Sequence, residues 1–141
     1  MTVQQTATVQ PYLFFDGKCE EALDFYKGAI GAKVDMMMRC KEGPEPEKIT
    51  PGLEDKILHS SFKVGDTLIM ATDGYNKNNP SFNGISLALT VANESEAKKV
   101  FDALSSGGET RLPLTKTFFS PAFGMLADKF GVPWMIVADR S

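Results

Sequence analysis

Histidine and tryptophan occur once each in this sequence, and cysteine only twice, at Cys19 and Cys40. A single imidazole excludes a multi-histidine metal centre, and two thiols exclude a disulfide framework. No apolar run approaches the roughly 18 residues that a membrane span requires. The opening MTVQQTATVQ has neither the charged start nor the apolar segment of a secretory leader, so a cytoplasmic location is expected. A basic stripe is missing as well. Fifteen Lys and Arg against eighteen Asp and Glu leave a net charge of -3, which argues against a phosphate backbone as partner. Nucleic acid and membrane are both set aside. What is present is an ordinary globular chain of 141 residues, 43% hydrophobic and 23% charged, enough for one domain.

The pattern along the chain is written twice. Residues 9–15 (VQPYLFF) form an apolar, aromatic run closed by Asp16 and Gly17, the mark of a buried strand entering a turn. From Cys19 to Ile30 the residues Cys19, Ala22, Leu23, Tyr26, Ala29 and Ile30 recur at helical spacing, and Gly31 ends the helix. Strands are predicted at 33–40, 57–63 and 67–72, the last two joined through Val64-Gly65-Asp66. A second βα unit follows: strand 85–91, then a helix capped by Asn93 and Glu96 with Ala97, Val100, Phe101 and Leu104 on one face, ended by Gly107-Gly108. Three more strands are predicted at 110–118, 123–129 and 133–138. Glu21-Ala22 and Phe25-Tyr26 recur 75 positions later as Glu96-Ala97 and Val100-Phe101. The expected architecture is therefore α+β, a tandem of βαβββ modules forming two curved mixed sheets. One domain covers 1–141, with modules at 9–73 and 85–139 and a linker at 74–84. Residues 41–56 read as a long surface loop.

The stretches PYLFFDGKCEEALDFYKGAIGAKV, ILHSSFKVGDTLIMATDG and FGMLADKFGVPWMIVAD resemble the vicinal oxygen chelate (glyoxalase / bleomycin resistance) superfamily. Within it the chain is similar to the PhnB-like group, often labelled demethylubiquinone methyltransferase-like. The resemblance spans residues 9–139 and implies two half-barrels around a pocket, commonly in a homodimer. Superfamily members that use a metal hold it with His or Glu on the first and last strand of each module. Carried onto this chain, those positions are Gln10, Ile69 or Met70, Ser86 and Met135, none of which offers imidazole or carboxylate. No metal and no other cofactor is expected. A methyl donor of the adenosyl-methionine type normally sits at a glycine-rich strand-to-helix turn, whereas the glycines at 28–31 and 107–108 close helices.

His59 is the candidate catalytic residue, because its side chain alone titrates near neutrality and it stands on a strand expected to line the half-barrel. Gln10 and Tyr12, on one face of the first strand by parity, and Ser86 in the corresponding strand of the second module are candidate ligand-binding residues. Met70, Met135 and Trp134 are candidates for soft and aromatic lining, part of a methionine and phenylalanine supply that also includes Met36, Met37, Met38, Met125, Phe14 and Phe118. Cys19 lies in the first turn of a helix, where the dipole favours a thiolate, yet its spacing with Ala22, Leu23 and Tyr26 makes packing its expected role. Asp128-Lys129 reads as a solvated hairpin end. Two functions fit: a metal-free protein that binds a small organic molecule, or a metal-free enzyme using His59 as acid and base.

Overall fold

The computed structural model describes residues 1–74 and 81–140, so part of the predicted linker at 74–84 lies outside the described residues. Two helices and eight strands are found among them. The chain order is β1 (Tyr12–Phe14), α1 (Cys19–Ile30), β2 (Lys33–Arg39), β3 (Ile57–Val64), β4 (Thr67–Thr72), β5 (Leu87–Val91), α2 (Glu94–Ser105), β6 (Glu109–Thr115), β7 (Phe123–Ala127) and β8 (Pro133–Ala138). The predicted α+β tandem is found, with two four-stranded mixed sheets in the orders β1-β4-β3-β2 and β5-β8-β7-β6. Two compact units carry them: residues 1–27 and 31–74 with the first sheet, residues 28–30 and 81–140 with the second. Among the described residues no helix is long and apolar enough to cross a membrane.

In the first unit, Leu13, Ser60, Phe62, Ile69 and Ala71 form the buried side of the sheet. Tyr26 of α1 stacks on Phe62 with ring centroids 5.6 Å apart. Gly31, at φ 68°, closes the helix in the left-handed conformation that an L side chain resists, and its N–H bonds back to the Lys27 carbonyl. The start of α1 is secured differently. Lys18 gives no side-chain cap, and the buried carboxylate of Asp73, from just beyond β4, accepts from the N–H of Cys19 at 2.9 Å and of Ile57 at 3.0 Å. The loop 41–56 is more ordered than its composition suggests: it contains Ile49, only 8% exposed, and short 3-10 turns at Cys40–Glu42 and Pro46–Lys48. Arg39 ties it down by gripping the Glu20 carboxylate at 3.0 and 2.9 Å and the Asp55 carbonyl at 2.8 Å.

In the second unit, Asn93 caps α2 as predicted, its side chain accepting from the Glu96 N–H at 2.9 Å. Ala97, Phe101 and Leu104 are buried against the sheet. Asp128 is not the solvated hairpin end expected from sequence. It is 3% exposed, because the turn into β8 aims the N–H groups of Phe130 and Val132 and the indole of Trp134 at its carboxylate.

Candidate functional site

Successive residues of a strand point to opposite faces, so burying Ser60 and Phe62 of β3 turns His59, Ser61 and Lys63 to the other face. Strand register extends that open face sideways. Tyr12 of β1 pairs with Met70 of β4, Met70 with Ser61, and Ser61 with Met36 of β2; His59 pairs with Met38. Tyr12 and Phe14 stack with centroids 5.5 Å apart and remain 42% and 47% exposed, so this side of the first sheet is accessible.

On it the Tyr12 hydroxyl and His59 Nδ1 lie 2.9 Å apart. The phenol fixes the imidazole and engages one ring nitrogen, while Nε2 makes no hydrogen bond among the described residues. If Tyr12 donates, Nε2 carries the proton and is a donor; if His59 Nδ1–H donates, Nε2 is an acceptor. Either way a ligand oxygen or hydroxyl is the natural complement.

Three of the residues expected from sequence, Tyr12, His59 and Met70, thus meet on one face. Others are placed differently. Gln10 lies two residues ahead of β1, which is shorter than the predicted 9–15 because its parallel pairing to β4 covers only Tyr12–Phe14; the parity that grouped Gln10 with Tyr12 does not reach it. Ser86 likewise precedes β5 and is exposed. Met135 does lie on the second sheet's face away from α2, opposite Met125 of β7 and Ala88 of β5. Trp134 does not. It is 2% exposed on the α2 side, with its indole N–H donated to Asp128 at 2.9 Å, so it supports the sheet from behind. Phe14, named in the aromatic supply, joins Tyr12 on this face, whereas sequence reasoning did not single out Ser61 or Lys63, for which parity with His59 was the signal.

The donors at the carried-over metal positions do not fit a divalent ion. In the first unit they are the Gln10 amide and the apolar or thioether side chains of Ile69 and Met70; in the second they are the Ser86 hydroxyl and the Met135 thioether. Among the described residues no three His, Cys, Asp or Glu side chains cluster for a metal. Gly31 and Gly107, both at positive φ, follow helices and do not form a phosphate-binding turn at a helix start.

Cys19 is fully buried, and loss of solvation pushes its thiol up to about 12; a hydrogen bond with Ser60 opposes this, while the charges of Asp73 and Glu20 add to it. Burial also raises Cys40, with the charges of Asp73 and Glu54 adding. The helix dipole is outweighed by desolvation. Native protein is therefore expected to resist iodoacetamide at both thiols at pH 8. An unfolded thiol ionises first, from its ordinary 9.0, so the contribution of Cys19 to stability is whole below pH 9 and falls by about 1.4 kcal/mol per pH unit as pH rises towards 12. Urea melts at pH 8 and 10.5 should show a shallower decline for Cys19→Ala than for the unaltered chain. Parallel declines would refute the assignment.

The family description 3-demethylubiquinone-9 3-methyltransferase matches residues 7–137. Protein YjdN from Escherichia coli (strain K12) is 30% identical, matching 91% of this chain and 92% of its own. Among solved structures, PA1353 from Pseudomonas aeruginosa is 34% identical with a TM-score of 0.85, over 95% of this chain and 98% of that one. The PhnB protein from Bacillus cereus is 30% identical with a TM-score of 0.78, over 94% and 99%. The fold extends to the fosfomycin resistance protein FosX from Mesorhizobium loti, with a TM-score of 0.61 at 11% identity over 95% and 92% of the two chains. The glyoxalase-like fold implied by the resemblance is thereby shown.

Proposed function

We propose that this chain, which belongs to the PhnB-like family described as 3-demethylubiquinone-9 3-methyltransferase, binds a small organic molecule without a metal, on the open face of its first sheet. The observation that carries the proposal is the 2.9 Å contact between the Tyr12 hydroxyl and His59 Nδ1. It holds an imidazole in place beside stacked Tyr12 and Phe14 rings and the thioethers of Met38 and Met70, polar recognition set in soft, adaptable surface. On the second sheet, the methionine face containing Met135, with Ser86 ahead of β5, is the secondary candidate for apolar contact.

The test is titration with a neutral aromatic alcohol, 2-naphthol, alongside thermal melts. His59→Ala is expected to weaken binding about tenfold, equivalent to about 1.4 kcal/mol, and to leave the melting temperature nearly unchanged. Unchanged affinity with a large fall in stability would make His59 a structural residue and sink the proposal. The same pair also favours a second reading, acid-base catalysis, since an imidazole oriented through one ring nitrogen presents the other to give or take a proton. Turnover lost with His59→Ala while binding persists would select it.

A homodimer belongs to the proposal. Phe118 is 92% exposed although its loop is held by Thr117, whose hydroxyl accepts from the N–H groups of Phe119 and Ser120, and Ile85 is 71% exposed. Large apolar side chains displayed on ordered backbone mark association surfaces. Light scattering should give about twice the 15.4 kDa chain mass; the single-chain mass at micromolar concentration would contradict it.

A further inference from the structure

The open face of the first sheet continues past the tyrosine and histidine. Two residues beyond Ser61 on β3 comes Lys63, on the same face by alternation, and its direct partner across the ladder is Lys33 of β2. Like charges directly opposite one another destabilise a ladder. Neither ammonium has an acidic partner at ion-pair distance among the described residues. Asp35 is the nearest carboxylate in the β2 sequence, in the bulge between Val34 and Met36, and it bridges to neither lysine. Leu68, opposite Lys63 on β4, brings an apolar side chain to that row.

The face therefore has a polarity along its strands. Phe14 and His59, with Met38, stand at one end; Tyr12 shares the middle row with Met70, Met36 and the buried Ser61; and a pair of cations without ion-pair partners stands at the other. Four residues of strand separate His59 from Lys63, about 13 Å at 3.3 Å per residue. Lysine stems are long enough to shorten that span by leaning over Ser61.

Resting on the binding proposal above, we infer that the ligand is an aromatic or planar apolar acid, its ring system against Tyr12, Phe14 and His59 and its carboxylate between Lys33 and Lys63. The lysine pair supplies charge selectivity and the ring end supplies shape selectivity. Because the ammoniums are exposed, their contribution is modest and salt-dependent.

The probes are 2-naphthoate and its neutral isostere 2-naphthamide, titrated at low and at physiological salt. The acid is expected to bind about three- to tenfold tighter at low salt, with the difference shrinking as salt is added. The double variant Lys33→Gln with Lys63→Gln should bind both probes equally, at the affinity the unaltered chain has for the amide. Equal binding of acid and amide by the unaltered chain overturns the inference and leaves the binding proposal standing, as does an acid preference that survives in the double variant. Binding of both probes unaffected by His59→Ala overturns the proposal beneath it. Failure of both probes to bind, with Lys63→Glu altering the light-scattering mass, assigns this face to a second copy of the chain and overturns both.

Discussion

Replacing Asp128 with alanine should cost about 3–5 kcal/mol and lower the melting temperature by more than 10 °C. The carboxylate is buried and accepts from the Phe130 N–H at 2.9 Å, the Val132 N–H at 3.1 Å and the Trp134 indole at 2.9 Å. Alanine leaves two buried donors and one part-buried donor without this acceptor, the buried ones each worth about 1–3 kcal/mol, and they are coupled through one turn, so the sum is not reached. A shift of a few degrees per kcal/mol is usual for a domain of this size. Trp134 is the sole tryptophan, so its fluorescence follows unfolding and reports the loss of its partner in the same experiment. A cost below 1 kcal/mol would mean that water or a rearranged turn replaces the carboxylate.

Gly108→Ala is expected to be similarly damaging, for a steric reason. A Cβ built at Gly108 overlaps the Ala127 carbonyl oxygen and approaches the Asp128 carbonyl carbon to 2.8 Å and its Cα to 3.0 Å. All three are backbone atoms, so no rotamer relieves the overlap and the β6–β7 pairing has to open. About 3 kcal/mol or more should be lost. Gly28→Ala is the counterpart: nothing lies within 4 Å of a Cβ there, in the last turn of α1, and alanine should add about 0.5–1 kcal/mol. Denaturant melts of the two variants should move in opposite directions; if Gly108→Ala is neutral, the close approach at that strand end is not a constraint.

How far the sequence could be read follows from the range of each interaction. Helix α1 runs Cys19–Ile30 as its 3.6-residue spacing predicts, because amphipathic periodicity and a glycine stop are local. The tandem order was legible for the same reason, each strand and turn carrying its own composition. Strand ends were not. β1 and β5 are set by how far each pairs with the last strand of its sheet, which left Gln10 and Ser86 outside strands that composition would have extended over them. Asp128 was misread because a carboxylate beside a glycine turn has the same signature in water as in a buried turn; only the three converging N–H groups distinguish the cases. His59 was identifiable as the only imidazole, but its partner lies 47 residues away, and the pair exists because β1 joins the sheet at β4, next to β3. Cys19 pulled in two directions, helix dipole against burial, and burial dominates.

The central claim, that ligands bind on the Tyr12–His59 face of the first sheet, has a direct measurement because the chain provides one imidazole and one indole as reporters. In NMR titrations with 2-naphthoate, the His59 ring signals should shift saturably at the same concentration as the bulk binding curve, while the Trp134 indole N–H, buried and held by Asp128, stays in place. A saturable shift of the indole with an unmoved imidazole would contradict the account.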